Sequence, residues 1–154
     1  MNTLKDQLRA DLTTAMKSRE TIVVSTIRMA LAAIKNAEVA GEEVITLDDA
    51  QVIAVLQAEA KKRTEAADIY TKAARLDTAA TELAERSVLE RYLPAALSAA
   101  DIQAIVDEEV AVATAAGTSG PKAMGIVVKA VRERTGSGAD GAQIAAAVKA
   151  TLTI

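Results

Sequence analysis

Lys122, Lys129 and Arg132 share one side of a helical wheel, opposite Met124, Val128 and Val131. Cations spaced this way can track a phosphate backbone, the chemistry by which proteins position themselves on nucleic acid. They can equally be the ordinary solvated charges of a surface helix. Residues 119–154 hold Lys122, Lys129, Arg132, Arg134 and Lys149 against only Glu133 and Asp140, a local positive excess in a chain of formal net charge −3. These five cations are the candidate nucleic-acid contacts.

Other charge groupings have a structural reading beside the chemical one. Glu59 and Arg63 lie four residues apart on an otherwise apolar stripe. Two dehydrated charges can mark a site, but buried pairs more often set packing register. Lys61, Lys62, Lys72 and Arg75 are interleaved with Glu65, Asp68 and Asp77 at spacings that allow pairing within a helix, so a solvated mixed-charge face is expected. Asp107-Glu108-Glu109 runs around its helix without converging and reads as a plain polar face, a poor metal site. Gly136-Ser137-Gly138-Ala139-Asp140-Gly141 has no strand before it and no Lys-Ser or Lys-Thr after it, so it reads as a tight turn between helices rather than a phosphate loop. Tyr70 and Tyr92 sit on apolar stripes and are expected as core residues with hydrogen-bonded hydroxyls.

The chain has no His, Cys, Trp or Phe. That removes imidazole and thiol chemistry, disulfides, the usual zinc ligands and most base-stacking platforms. Only carboxylates remain for hard cations, and neither a metal nor a cofactor is expected. Ser, Thr, Lys and carboxylates form no recognised nucleophile and base arrangement, so no catalytic residue is assigned. Met1-Asn2-Thr3-Leu4-Lys5-Asp6 lacks the apolar stretch of a secretory signal, and no run of about 18 apolar residues could span a membrane. The expected location is the cytoplasm.

Ala, Val, Leu and Ile carry most of the 51% hydrophobic content, which predicts closely packed helices. Leu4, Leu8, Leu12 and Met16 recur every four residues behind Thr3, a candidate N-cap. A second helix over about 21–37 carries Ile22, Val23, Ile27, Ala30, Leu31 and Ile34, forming an antiparallel pair with the first, and Gly41 ends the pattern. Thr46 and Asp49 suggest a capping box for a third helix reaching about Ala74, with Val52, Leu56, Glu59, Arg63, Ala66, Tyr70 and Ala73 inward. Asp77 can cap a fourth helix bearing Leu83, Leu89, Tyr92 and Leu93, which Pro94 stops.

Ser98 and Asp101 form another capping box, followed by Ile102, Ile105, Val106, Val110 and Ala113 on one face. Pro121 suits a helix's first position, and Met124, Val127, Val128 and Val131 follow it inward. Asp140 with Gln143 can cap a last helix holding Ile144, Val148 and Leu152. The fold class expected is all-α: a four-helix N-terminal unit over 1–95, then a three-helix module over 98–154.

Taken in order, several segments resemble the GatB/YqeY family, most closely its free-standing YqeY-like branch. They are Lys62-Arg63 to Tyr70, Ala74-Arg75-Leu76-Asp77, Glu85 with Leu89, Tyr92-Leu93-Pro94 with Leu97-Ser98, Lys122-Ala123-Met124-Gly125 with Val128, and Gly138-Ala139-Asp140-Gly141. The family is similar to the C-terminal tail of the GatB component of the glutamine-dependent aspartyl/glutamyl-tRNA amidotransferase, a helical appendage that contacts tRNA while other domains perform the chemistry. The resemblance implies an RNA-facing, noncatalytic module, with Lys122 as a contact, Met124 in the core, Gly125 allowing close approach of another backbone and Asp140 as a cap. A carbon–nitrogen ligase label using glutamine as amido donor would belong to the fused relative. Two functions follow: a module that binds or presents tRNA, or a protein-interaction adaptor gripping a polypeptide in a cleft between its modules. An intrinsic amidotransferase ranks last.

Overall fold

The computed structural model describes residues 2–153, the Ser137 side chain excepted; Met1 and Ile154, the outer limits of the two expected units, lie outside that range. The described residues form seven α-helices and no strand. Cα packing divides the chain into two compact units, Met1–Leu93 and Pro94–Ile154.

The first unit holds α1 (Leu4–Ser18), α2 (Thr21–Glu38), α3 (Asp49–Lys72) and α4 (Leu76–Glu90). Thr3 caps α1 in a reciprocal box with Asp6. The cap of α3 is one choice over from the expected Thr46 and Asp49: Asp48 accepts from Gln51 N at 2.8 Å and Gln51 Oε1 accepts from Asp48 N at 3.0 Å. Asp49 is drawn elsewhere, accepting from the Leu4 backbone N–H at 3.0 Å. Nor does Asp77 cap α4. Arg75 holds that position without a side-chain bond, and Asp77 lies in the first turn, where its charge favours the helix dipole.

Leu8, Ile27, Ala30, Ile34, Val52, Leu56, Ala60, Val88 and Leu89 make the core of this unit. Each fully buried Leu, Ile or Val contributes roughly 1.5–3 kcal/mol. The inward line of α3 is Val52, Leu56, Ala60, Arg63 and Ala67, not the strict heptad expected from the sequence. A straight helix drifts ~20° per heptad, so Ala66 and Tyr70 fall to the margin and Ala73 to solvent. Met16, Ile22 and Leu83, expected inward, are also exposed.

The second unit holds α5 (Ala99–Ala115), α6 (Met124–Thr135) and α7 (Gly141–Leu152), each packed on the other two. Ser98 with Asp101 and Asp140 with Gln143 are complete capping boxes. Pro121 is the second residue of a 3-10 turn, Gly120–Ala123, that feeds α6 rather than opening the α-helix itself. Gly136, at φ 53° and ψ −124°, ends α6 in a conformation closed to side-chain-bearing residues. Ile102, Val106, Ala113, Ala123, Val127, Val131, Ile144 and Val148 form the core, and Met124 packs half-buried against it.

Candidate functional site

The buried Val127 and Val131 fix the rotation of α6, and the helical period then turns Lys129 and Arg132 outward, whereas Lys122, expected on the same helix, is exposed in the preceding 3-10 turn. Lys149 is exposed on α7. Among the described residues, none of these four forms an ion pair. Arg132 lies over the start of α7, so close that a Cβ on Gly141 would meet its Nη2 at 2.6 Å. Gly141 therefore makes room for this guanidinium. Gly125 does the opposite of what the resemblance implies: a Cβ there would meet nothing within 4 Å, so no backbone is packed against it. The tight glycine is Gly138, whose added Cβ would stand 3.0 Å from Leu97 Cγ.

Arg134, the fifth candidate, is committed. Its Nη2 lies 2.7 Å from Glu108 Oε2 and its Nη1 3.1 Å from Glu109 Oε1. Glu108, then Glu109, hold its pKa above the ordinary guanidinium value against the effect of burial. The acidic trio is accordingly more than a polar face, since two members link α5 to α6 and Asp107 accepts from Gln103 at 2.8 Å. No signal along the chain announced these links, which join residues 25 apart or more on different helices.

Glu59 and Arg63 pair within α3, and Arg63 also faces Glu85 of α4. Arg63 Nη1 is 2.5 Å from Glu59 Oε2, its Nε is 3.4 Å from Glu85 Oε2 without hydrogen-bond alignment, and Lys62 Nζ is 2.8 Å from Glu59 Oε1. Burial pushes the Glu59 carboxyl up, but hydrogen bonds from Lys62 and Arg63 prevail and hold it below its ordinary value. Lys61, Lys62, Glu65, Asp68, Lys72, Arg75 and Asp77 are exposed, the solvated mixed-charge face expected. Arg75 covers the Tyr70 ring at 5.2 Å, a cation–π contact. The Tyr92 hydroxyl donates to Asp11 at 2.6 Å, securing the end of the first unit to α1, after which Pro94 stands exposed in the irregular joint.

Many hydroxyls, including those of Thr13, Thr14, Ser18, Thr71, Thr81, Ser87, Thr114, Thr135 and Thr151, donate to backbone carbonyls four residues back. No group of three or more acidic side chains among the described residues is placed to hold a metal ion. No helix among them is long and apolar enough to cross a membrane.

The chain belongs to the Yqey-like protein family, whose model matches residues 5–152. It is similar to an uncharacterised protein of Schizosaccharomyces pombe, 36% identical over 91 residues that make up 59% of this chain and 72% of the relative. It is also similar to the mitochondrial "altered inheritance of mitochondria protein 41" of Meyerozyma guilliermondii, 36% identical over 93 residues, 60% of this chain. That match spans 46% of the second relative's length.

Proposed function

We propose that the chain is a noncatalytic module that binds or presents tRNA through the α6 and α7 side of its second unit, as an accessory to tRNA-dependent amidation. The observation that carries this reading is the division of the five cations. Arg134 is neutralised by Glu108 and Glu109, whereas Lys122, Lys129, Arg132 and Lys149 have no carboxylate partner among the described residues. Unspent cations on helices held rigid by a packed core supply positioning contacts to phosphates rather than base readout. The resemblance to the amidotransferase tail supports RNA as the ligand. The engagement of so many hydroxyls with helix carbonyls supports the absence of a nucleophile.

The test is tRNA affinity across a salt series. Four phosphate contacts give a slope of roughly −3 to −4 in log affinity against log salt. Reversal of Lys122, Lys129 and Arg132 to Glu abolishes binding while the chain stays folded. Affinity indifferent to salt, or unaffected by the reversal, contradicts the reading.

A further inference from the structure

We propose that Gly141 is a positioning residue for Arg132, holding its guanidinium at the start of α7, where it meets an RNA phosphate. The inference rests on the tRNA reading above and names the contact within it that the fold prepares in advance. Arg132 lies in the last turn of α6, the chain turns through residues 136–140, and α7 begins beside it at Gly141. A Cβ built on Gly141 would stand 2.6 Å from Arg132 Nη2, 3.4 Å from its Cζ and 3.7 Å from its Nε. The guanidinium thus occupies the space that the side chain of any other residue would fill.

Backbone geometry gives no reason for glycine at this position. Gly117, Gly120 and Gly136 have positive φ, and Gly138 packs against Leu97. Gly141 has an ordinary φ as the first residue of α7, and the three atoms nearest its added Cβ all belong to Arg132. Alanine suits a helix better than glycine. What glycine supplies here is room for a cation.

The seat consumes none of the hydrogen-bonding capacity of Arg132, which forms no ion pair or hydrogen bond among the described residues. Neither Asp140, beside Gly141, nor Glu133, beside Arg132 in sequence, pairs with it. The Asp140 carboxylate is turned to its own helix, accepting from Ala142 N at 3.2 Å. Confinement by contact alone narrows the positions of the guanidinium while leaving its N–H donors for a phosphate, which arginine takes in bidentate fashion. Pre-organisation of this kind lowers the ordering cost of binding. Lys122, Lys129 and Lys149 carry point charges on flexible stems, so they contribute attraction and Arg132 contributes register.

The test compares the parent with R132Q, G141A and R132Q/G141A in tRNA filter binding, alongside ¹⁵N relaxation of the arginine Nε–H groups. The alanine methyl displaces only the free end of a long side chain, so thermal unfolding of G141A should match the parent. R132Q should weaken tRNA binding about 10-fold and G141A ~3-fold or more, with the double variant no weaker than R132Q alone. The Arg132 Nε–H should move through a larger amplitude in G141A than in the parent. Parent-like affinity of R132Q or of G141A, additive losses in the double variant, or an Arg132 as mobile in the parent as in G141A overturns the positioning role and leaves the tRNA reading standing. A parent chain that binds no tRNA overturns both.

Discussion

The Arg134 guanidinium sits 2.7 Å from Glu108 and so withdraws one positive charge from a helix that otherwise offers its cations to solvent. The E108Q/E109Q variant releases that charge. tRNA affinity should rise and its salt slope steepen by roughly 0.9 for one added phosphate contact, as measured by filter binding. Because the side chains of Arg134 and Glu108 are 41% and 63% exposed, losing the pairs should leave thermal stability nearly unchanged. An unchanged slope would place Arg134 off the path of the RNA.

Tyr92 anchors the end of the first unit through its 2.6 Å bond to Asp11. The Y92F variant should lose about 1–2 kcal/mol in urea unfolding, the low end for a hydrogen bond to a charged group at a half-buried site. Burial first, then Asp11, push the phenol well above its ordinary value of 10.0. The neutral form is thus favoured by folding: the stabilisation is complete below about pH 10 and declines as pH rises toward the raised value. Y92F should show less of this alkaline loss.

Glu38 is buried and accepts from Lys5 at 2.5 Å and from the Leu47 backbone N–H at 3.3 Å. The Lys5 bond chiefly holds its carboxyl below the ordinary 4.5, against the opposing effect of burial. A lowered folded-state pKa stabilises above the ordinary carboxylate value and loses that contribution as pH falls through the lowered one. Lys5→Met should therefore be less stable than the parent at neutral pH, and the gap should narrow on acidification to ~pH 3. Urea unfolding at the two pH values measures this, and a constant gap would assign the effect to packing alone.

Gly125 and Gly138 should respond oppositely to an added methyl. Gly125→Ala enters open space on a helix and should stabilise by up to ~1 kcal/mol. Gly138→Ala forces Leu97 Cγ away from 3.0 Å and disturbs the 2.7 Å bond from Leu97 N to Gly138 O, which should cost about 1–3 kcal/mol. Thermal unfolding of the two variants gives the comparison.

These particulars show what local sequence can decide. Thr3 with Asp6, Ser98 with Asp101 and Asp140 with Gln143 are legible caps because donor and acceptor lie within one turn. At α3, Thr46 with Asp49 and Asp48 with Gln51 meet the same spacing rule, and the contact that occupies Asp49 comes from Leu4, 45 residues away. The seven helices were readable from their apolar period, but the slow drift along α3 moved Ala60 and Ala67 inward in place of Glu59 and Ala66. At the candidate surface, the outward Lys129 and Arg132 follow from α6's own period. The neutralisation of Arg134 and the room that Gly141 leaves for Arg132 depend on neighbouring helices.

Crosslinking in living cells, followed by recovery of the chain with its bound material, decides whether this surface serves RNA. tRNA should be found attached within residues 122–132 and at the exposed end of α7 around Lys149, and should be lost when Lys122, Lys129 and Arg132 are reversed to Glu. Recovery without RNA, or with RNA attached elsewhere and indifferent to the reversal, would contradict the proposed role.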